Sequence, residues 1–424
     1  MSDAAGAPSL ADAGFLEAPS VRAVFAALDR DGETVRIVGG AIRNALLGQA
    51  VVEVDFATTA LPDVVIARAE AAGLKAVPTG IEHGTVTVIA HGEPHEVTTL
   101  RHDVETDGRR AKVAFGRDWT QDARRRDFTM NALYLDAQGR IFDPLGGYAD
   151  VLARRVRFIG DPVMRIREDA LRILRFFRFA ATYGEGRLDP AGFAACLRER
   201  ARLDRLSRER IRQELLKLLA APYAVPVVVT MAESGFLDRL LAGVPYVAPF
   251  RRMAEIEAAL GQRADPLLRL AALGAVIVED AERLAERLRL SNEERDRITA
   301  AASAWRGLGR DLSDHEARVA IYRLTPRTFR DALALAWARS RDAADDPRWH
   351  ALARLAQDWR PPRLPLAGRD VLALGVPKGP AVGEALGRVE AWWIEAGFPE
   401  QPELIRDALR RAVEEVGRGT AQSR

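Results

Sequence analysis

The hydrophobic pattern changes its period near residue 150, and this change limits the folds open to the chain. Before it, segments such as VRIVGG (35–40), VVEVDFATT (51–59) and GTVTVIAHGEPHEVTTL (84–100) are typical of β-strands, with helical segments between them. After about residue 160 the apolar residues recur only at helical spacing. The pattern predicts an α+β fold, in which a mixed head precedes a long all-helical region.

The size and composition of the chain indicate several domains in a reducing compartment. Its 424 residues exceed what one hydrophobic core usually holds, so we expect more than one domain. The single cysteine, Cys196, excludes an internal disulfide framework. No apolar stretch approaches the roughly 18–20 residues that span a bilayer, and the N-terminal residues do not resemble a secretory signal. We therefore expect a cytoplasmic protein with no membrane partner.

Gly39 and Gly40 stand between a predicted strand and a predicted helix over 41–48. Glycines at such a turn let backbone N–H groups approach a phosphate, and the helix N-terminus adds a favourable dipole. Arg43, one turn into the helix, can reach the same phosphate. A Gly-Gly turn alone is most often a plain turn, so this interpretation depends on the acids that follow it.

Glu53 and Asp55 are two residues apart in a predicted strand, so their carboxylates point to one face. Neighbouring carboxylates repel unless a cation lies between them, and Mg²⁺ prefers such oxygen ligands together with substrate phosphates. The alternative, an edge strand with two solvated acids, is disfavoured by the nearby Gly-Gly turn. Glu96, on a later predicted strand, is either a third metal ligand or a solvated residue. The sequence thus predicts a Mg²⁺ site for nucleotidyl transfer.

The segment RRRDFTMNA (124–132) concentrates positive charge after an acidic N-terminal region. Residues 1–100 hold 6 Lys+Arg against 13 Asp+Glu, whereas residues 101–178 hold 17 against 12. Three arginines entering a predicted helix suit a triphosphate or an RNA backbone, because they would otherwise oppose the helix dipole. Asp127 and Asn131 would share a face of this helix and orient an arginine or a ribose. Solvated arginines on helix faces are the alternative.

A row of charged residues follows in REDALRILRFFRF (167–179). Asp169, Arg172, Arg175 and Arg178 recur at every third position, which places them on one face of a predicted helix. A carboxylate beside a guanidinium presents acceptors and donors in one plane, which suits the Watson–Crick edge of a base. A ladder of ion pairs within the helix is the alternative.

Six segments occur in an order and spacing that resemble one family: VGGAIR, VEVDFATT, RRRDFTMNAL, FDPLGGYADV, REDALRILRFFRFA and LSRERIRQELLKLL. They make residues 35–220 similar to the class II CCA-adding tRNA nucleotidyltransferases and their bacterial poly(A) polymerase relatives. LALGVPKGPAVGEAL (372–386) is similar to the C-terminal region of many bacterial CCA-adding enzymes. The resemblance implies a polymerase-β-type nucleotidyltransferase head, a helical neck, a body and a tail. We place them at residues 1–157, 158–222, 223–357 and 358–424.

The resemblance also implies the reaction and the roles of the site residues. Such an enzyme adds C, C and A to the 3′ end of tRNA from CTP and ATP, with Mg²⁺ as cofactor, and releases pyrophosphate. Glu53 and Asp55 match the metal-binding pair, and residues 101–115 match a flexible loop that helps the switch from C to A. The matches to nucleotide-binding residues are Gly40, Arg43, Arg126, Asp169, Arg172, Arg175 and Arg178.

Two residues depart from the pattern of this family. Glu53 stands where the family usually has aspartate, and its extra methylene would shift the metal. Asn44 stands where aspartate usually follows Arg43, so a charge that could orient that arginine is lost. Either change could slow catalysis. The alternatives left open are a poly(A) polymerase, an enzyme that adds only A or only C and C, and a catalytically silent RNA-binding homologue.

Overall fold

The computed structural model describes residues 9–107 and 110–422. The strands are β1 (Val35–Val38), β2 (Asp55–Thr58), β3 (Lys75–Gly80), β4 (Thr85–Ala90), β5 (Glu93–Thr99), β6 (Arg101–Asp107), β7 (Arg110–Phe115), β8 (Tyr134–Leu135) and β9 (Ile141–Phe142). Seven of them form one sheet in the order β3-β4-β5-β2-β1-β8-β9, and β6 pairs with β7 in a separate hairpin. Within the described residues, no strand follows β9. The predicted α+β organisation is therefore confirmed.

The register of the sheet places the end of one strand beside the start of the next. β1 and β2 run antiparallel, so that Val38 pairs with Asp55. β2 runs parallel to β5, and Phe56 pairs there with Val97. Val35 and Phe56 are fully buried, which fixes the face that each strand turns to the core. The Gly-Gly turn after β1, the first residue of β2 and the middle of β5 consequently lie next to one another.

Residues 101–115, which match a flexible loop of the family, form the hairpin of β6 and β7. Residues 108 and 109 lie outside the described residues. Directly after the hairpin, the Arg117 guanidinium donates to the Glu33 carboxylate at 2.8 and 2.9 Å. This ion pair ties the end of β7 to the turn before β1. The mobility of the segment stays a prediction.

Helices make up most of the remaining described chain. Up to residue 183 they are α1 (Pro19–Leu28), α2 (Gly40–Leu46), α3 (Pro62–Ala71), α4 (Trp119–Arg124), α5 (Gly147–Leu152), α6 (Pro162–Glu168) and α7 (Leu171–Tyr183). They continue with α8 (Pro190–Arg198), α9 (Arg208–Leu219), α10 (Ala224–Glu233), α11 (Phe236–Leu241), α12 (Val247–Ala259), α13 (Pro266–Gly274) and α14 (Val278–Leu288). The last are α15 (Asn292–Ala304), α16 (Asp314–Leu324), α17 (Pro326–Arg339), α18 (Pro347–Asp358), α19 (Gly368–Leu372), α20 (Pro380–Glu395) and α21 (Pro402–Gln422). Short 3₁₀ helices cover Gly14–Glu17, Ile81–His83, Thr129–Asn131, Arg200–Arg205 and Trp305–Gly307.

An aromatic cluster holds α7 against the head. Phe128 contacts Phe158, Phe176 and Phe179, with ring centroids between 4.9 and 6.4 Å apart. Phe158 and Phe176 are stacked at 5.4 Å. All four rings are buried, and burial of such large apolar surfaces is a major source of stability. The cluster fixes the rotation of α7 about its axis, and hence the direction of its polar face.

The chain divides into two compact units. The first comprises Met1–Val247, Ala264–Pro266 and Arg283–Leu290, and the second comprises Ala248–Arg263, Leu267–Glu282 and Ser291–Arg424. In the second unit Trp337 stacks on Trp349, with ring centroids 5.6 Å apart. Among the described residues, the helices are all too short or too polar to cross a membrane. The finer division into head, neck, body and tail stays a prediction.

Candidate active site

The turn between β1 and α2 has a backbone that favours glycine. Gly39 adopts a φ of 72° and a ψ of −110°, a region that side chains with a Cβ rarely enter. Its N–H donates to the Leu133 carbonyl at 3.1 Å, which anchors the turn to the segment before β8. A Cβ at Gly39 would lie 3.9 Å from Nη1 of Arg126, and one at Gly40 would lie 3.6 Å from Nη2 of Arg43. The turn therefore brings two predicted nucleotide-binding arginines close to the Gly39–Gly40 backbone.

A pocket of about 490 Å³ opens beside this turn. It brings together most of the predicted site residues, namely Gly39, Gly40, Arg43, Asp55, Arg126, Asp169, Arg172 and Arg175. The rest of its lining is Val38, Asp127, Asn131, Leu171, Phe179 and Arg210. Glu53, Glu96 and Arg178 do not line it. The pocket joins the β1–α2 turn to one face of α7, which suits a ligand with phosphates at one end and a planar group at the other.

Asp55 is an unusual acid, because its surroundings oppose its charge. Partial burial, together with the nearby carboxylates of Glu96 and Glu53, raises the pKa of Asp55 to about 6. Arg126 acts the other way, but not strongly enough to cancel them. Three carboxylates thus share one region without a matching positive charge, and a bound divalent cation would relieve their repulsion.

The local geometry of the acids differs from the prediction. The strand begins at Asp55, so that Glu53 and Val54 precede it rather than belong to it. The exposed and buried positions nevertheless alternate, with Glu53 and Asp55 exposed and Val54 buried. In the part of the chain that the structure describes, no group of three or more His, Cys, Asp or Glu is placed to hold a metal ion. The assignment of Glu53, Asp55 and Glu96 as metal ligands stays a prediction.

The arginine triplet lies at the end of a helix and not at the start of one. α4 ends at Arg124, and the chain after the triplet forms only a short 3₁₀ helix over Thr129–Asn131, so the prediction that the arginines enter a helix shared by Asp127 and Asn131 is wrong. The reason is local: the Asp127 carboxylate accepts from its neighbour Phe128 N–H at 2.9 Å and from Asn131 Nδ2 at 2.9 Å. Cations at a helix C-terminus are favoured by the dipole. The electrostatic argument for a functional triplet therefore does not hold.

Arg126 is held in the pocket wall by an acid that the sequence did not single out. Its Nη2 donates to the Asp122 carboxylate at 3.0 Å, and the Tyr134 hydroxyl donates to the same carboxylate at 2.7 Å. Burial works against the charge of Arg126, but the attraction of Asp122 prevails and raises its pKa. Arg126 is therefore a fixed positive group beside the Gly-Gly turn.

Two arginines from the following helices cap the end of α4. Arg165 is buried, and its Nη2 donates to the carbonyls of Arg125 and Arg126 at 2.5 and 2.6 Å. Arg172 donates to the Arg125 carbonyl at 3.3 Å and to the Glu168 carboxylate at 2.6 Å. The last carbonyls of a helix need such donors. The same contacts join α6 and α7 to the segment that carries Arg126.

Asp169 lies outside the helix on which it was predicted. It follows α6 with extended backbone, φ −147° and ψ 108°, and α7 begins only at Leu171. Its Oδ1 accepts from the Leu171 N–H at 3.0 Å, and its Oδ2 accepts from Arg210 of α9 at 2.7 Å. The interpretation of one helix face that carries all four charged residues is therefore wrong. Asp169 and Arg172 still line the same pocket.

The other arginines of α7 face acids from different elements. Arg175 donates to Asp127 at 2.7 Å, and Arg178 donates to Glu214 of α9 at 2.6 Å. Burial opposes the charge of Arg175, but Asp127 raises its pKa. Arg178 lies 4.5 Å from the centroid of the Phe179 ring and does not itself line the pocket. Arg178 thus supports α9 and Phe179, and its predicted contact with the nucleotide stays a prediction.

Arg210 and Phe179 are two of the pocket residues that sequence reasoning missed, together with Val38 and Leu171. Arg210 holds Asp169, and Phe179 receives the guanidinium groups of Arg43, Arg175 and Arg178 at 5.3, 5.3 and 4.5 Å from its ring centroid. A signal for Arg210 existed, because it belongs to the segment LSRERIRQELLKLL. Nothing local in that segment indicated which of its arginines would reach the pocket.

Comparisons with known proteins identify the family of this chain. Residues 35–157 match the family described as the Poly A polymerase head domain, and residues 187–250 match a probable RNA and SrmB-binding site of polymerase A. The CCA tRNA nucleotidyltransferase 1, mitochondrial, of Danio rerio is 35% identical over 395 residues, or 89% of this chain and 87% of that protein. The chain belongs to the CCA tRNA nucleotidyltransferase family.

Other members of the CCA tRNA nucleotidyltransferase family show the same relationship. The CCA-adding enzyme of Geobacillus thermodenitrificans is 39% identical over 229 residues, which cover 54% of this chain and 55% of that enzyme. The crystal structure of the Bacillus stearothermophilus CCA-adding enzyme in complex with CTP superimposes with a TM-score of 0.74. It is 28% identical and covers 96% of this chain and 98% of the other. The predicted enzyme class and fold class are both confirmed.

Proposed function

We propose that this protein adds C, C and A to the 3′ end of tRNA, using CTP and ATP and releasing pyrophosphate. The observation that carries the proposal is that one pocket joins the Gly39–Gly40 turn and Asp55 to Asp169 and Arg172. One end of it offers backbone N–H groups and arginines to phosphates, and the other offers an acceptor beside a donor to a base. Relatives whose names state CCA addition cover most of the chain.

At the phosphate end, the residues of this chain orient the nucleotide. The Gly39–Gly40 backbone, Arg43 and Arg126 would contact the triphosphate, so that the tRNA 3′-hydroxyl faces the α-phosphate opposite the leaving pyrophosphate. A bond forms from the 3′-oxygen to the α-phosphorus, and the bond from that phosphorus to pyrophosphate breaks. The hydroxyl proton goes to water or to a carboxylate of this region.

A divalent cation fits the acids beside this end of the pocket. Glu53 and Asp55 would hold it, with Glu96 as a further candidate, because burial and the neighbouring carboxylates raise the pKa of Asp55 to about 6 and Arg126 does not cancel them. Carboxylate oxygens are the ligands that Mg²⁺ prefers, so we propose Mg²⁺. When bound, it would stabilise charge that develops on the phosphate oxygens and activate the 3′-hydroxyl.

At the base end, Asp169 and Arg172 can distinguish C and A from U and G. Cytosine and adenine both present an amino group next to an unprotonated ring nitrogen on the Watson–Crick edge. A carboxylate accepts from the amino group, and a guanidinium donates to the ring nitrogen. Uracil and guanine present a carbonyl and a ring N–H at those positions. The Asp169 carboxylate would then face another acceptor, and the Arg172 guanidinium would face another donor. The mismatch leaves both partners unsatisfied, which is costly in a pocket.

The two departures from the family pattern do not favour a silent homologue. Asn44 still orients Arg43, because its Oδ1 accepts from Nε and Nη2 of that arginine at 3.2 and 3.0 Å. Glu53 stays exposed and close enough to Asp55 to affect its pKa. Glu53 and Asp55 thus both remain available as metal ligands. These contacts support full CCA addition over a silent RNA-binding protein.

The deciding experiment offers labelled CTP and ATP, separately and together, to three tRNAs that end before CCA, after C and after CC. We expect completion of CCA on all three in the presence of Mg²⁺. Addition of only C or only A would replace the proposal with a partial enzyme, and long A tracts would replace it with a poly(A) polymerase. No addition despite tRNA binding would indicate a silent homologue.

We predict that the affinity for Mg²⁺ falls below pH 6. A ligand must be deprotonated to bind the metal, and the pKa of Asp55 is raised to about 6. Because the charged form dominates above this value and disappears below it, affinity should drop about tenfold between pH 8 and pH 5. Calorimetry at several pH values measures this, with Asp63→Asn on α3 as a control that keeps the dependence. An affinity that stays constant over this range would contradict the role of Asp55.

We propose the cytoplasm as the location of the protein. A single cysteine suits a reducing compartment. Several relatives carry the word mitochondrial in their names, including those of Danio rerio and Mus musculus. Localisation of a tagged full-length chain in its own cell distinguishes the two compartments.

A further inference from the structure

Arg43 is a buried cation whose partners are neutral. Only 6% of the surface of Arg43 is exposed to solvent. Its Nε and Nη2 donate to Asn44 Oδ1, its Nη1 donates to Asn131 Oδ1, and its Nη2 also donates to the Tyr183 hydroxyl at 2.8 Å. The guanidinium carbon lies 3.9 Å from the centroid of the Tyr183 ring. Tyr183 therefore contacts this arginine both edge-on, through its hydroxyl, and through its ring face.

The neighbouring arginines are arranged differently. Each of them forms an ion pair with a carboxylate: Arg126 with Asp122, Arg172 with Glu168, Arg175 with Asp127 and Arg178 with Glu214. Among the described residues, no such pair involves Arg43. Burial accordingly lowers the pKa of Arg43, whereas the pKa of Arg175 is raised by its carboxylate. A buried charge without a counter-ion is costly, and an anionic ligand is what would offset that cost.

The donors of Arg43 are almost fully used in this arrangement. A guanidinium has five N–H groups in a rigid plane. The contacts with Asn44, Asn131 and Tyr183 involve Nε, both N–H groups of Nη2 and one of Nη1. One N–H of Nη1 is left for a ligand, so the plane of the guanidinium is fixed before a ligand arrives. Preorganisation of this kind raises affinity because less freedom is lost on binding.

We propose that Tyr183 is a positioning residue for the triphosphate of the incoming nucleotide. Its hydroxyl and ring fix Arg43 and leave the charge of that arginine for the phosphates. A carboxylate in its place would hold the same geometry but neutralise part of that charge. This inference rests on the proposed function. It adds that α7, which carries Arg172 at one end, also controls the phosphate end of the pocket through Tyr183 at the other.

The test compares Tyr183→Phe with the wild type in binding inorganic tripolyphosphate, CTP and ATP. Phenylalanine keeps the ring but loses the hydroxyl, so we expect all three to bind roughly fivefold more weakly, as for the loss of one hydrogen bond. The factor should be equal for CTP and ATP, because the base is not involved. In steady-state assays KM should rise for both nucleotides with little change in kcat. Tyr223→Phe, on an exposed tyrosine, is the matched control and should change none of these values.

A second variant separates positioning from general structural damage. Asn44→Asp supplies a charged acceptor that can hold Arg43 without Tyr183. We therefore expect Asn44→Asp to restore only part of the affinity that Tyr183→Phe loses, because its carboxylate holds the guanidinium in place but offsets some of its charge; the rescue is measured as a coupling between positions 44 and 183. Damage to packing would not be repaired by a charge on α2.

Two results would overturn the inference. They are unchanged tripolyphosphate binding in Tyr183→Phe, whether or not CTP and ATP bind more weakly, and the absence of rescue by Asn44→Asp. The wild-type assay on tRNA reports separately on the proposed function. If the wild type completes CCA and Tyr183→Phe binds tripolyphosphate normally, the function stands and the inference fails.

Discussion

Replacement of Asp55 by alanine is expected to reduce nucleotide addition by at least about a thousandfold. Of the three neighbouring acids, Asp55 is the one that lines the pocket. It lies at the start of β2, beside the Gly-Gly turn. Loss of its carboxylate would remove the one proposed metal ligand that lines the pocket, because Glu53 and Glu96 do not line it. The measurement is single-turnover addition of labelled nucleotide to tRNA at saturating Mg²⁺.

The variant should not lose activity through unfolding. The pKa of Asp55 is raised to about 6 in the folded protein. The stability that its protonated form contributes is therefore greatest below the ordinary pKa of an aspartate and is lost as the pH rises through 6. At pH 8 the charged side chain is therefore destabilising, and Asp55→Asn should stabilise the metal-free protein by about 1 kcal/mol, since solvent partly screens this incompletely buried carboxylate. A thermal unfolding curve provides the control. Activity that is indifferent to Asp55→Ala would refute the metal site.

Glu53→Asp tests the neighbouring position in the opposite direction. A shorter side chain lets the metal lie closer to the backbone, so turnover should stay the same or rise. A severalfold fall would mean that the chain before β2 has adapted to glutamate. In either case Asp55→Ala remains inactive if Asp55 is the principal ligand.

The second large effect is expected at Asp169. Asp169→Ala should reduce the preference for CTP and ATP over UTP and GTP by about ten- to a hundredfold, as for the loss of one bidentate base contact. Its effect on tRNA affinity should be small. Competition assays with all four nucleotides measure the preference, and tRNA binding measured alongside is the internal control. Equal incorporation of the four nucleotides by the wild type would contradict this role.

Arg210 shows whether the position of Asp169 matters as well as its presence. Arg210 donates to Asp169 Oδ2 at 2.7 Å from α9, so Arg210→Ala should release the carboxylate and weaken discrimination in the same direction. Arg210→Lys, which keeps a charged donor, should recover part of it. Arg205→Ala, on an exposed arginine of the preceding 3₁₀ helix, is the control. Discrimination that survives Arg210→Ala would restrict the role of this arginine to packing.

The overall fold could be predicted because it depends on local periodicity. The change of pattern near residue 150 placed the sheet before the helical region, and the Gly39–Gly40 turn followed from glycine at a strand end. Those signals need only the residues within one element. The resemblance of six segments then placed most of the pocket residues on the right elements.

The sequence failed where a distant partner or a competing side chain decides the structure. Asp169 leaves the helical path because its carboxylate caps α7 and pairs with Arg210, which is 41 residues away. Asp127 turns the chain after the arginine triplet through bonds to Phe128 and Asn131, where a helical pattern predicted continuation. Neither partner can be found from periodicity, because spacing describes only neighbours on one element.

The hydrogen bonds from Arg165 and Arg172 to the carbonyls after α4 couple the two ends of the pocket. Arg172 lines the proposed base end of the pocket and donates to the Arg125 carbonyl, next to Arg126. A displacement of Arg172 would therefore also move Arg126. A wrong base that pushes Arg172 aside would thereby shift Arg126 and misalign the α-phosphate. We expect errors to be rejected mainly by slower chemistry, with a lower maximal rate for UTP and GTP, rather than by weaker binding alone.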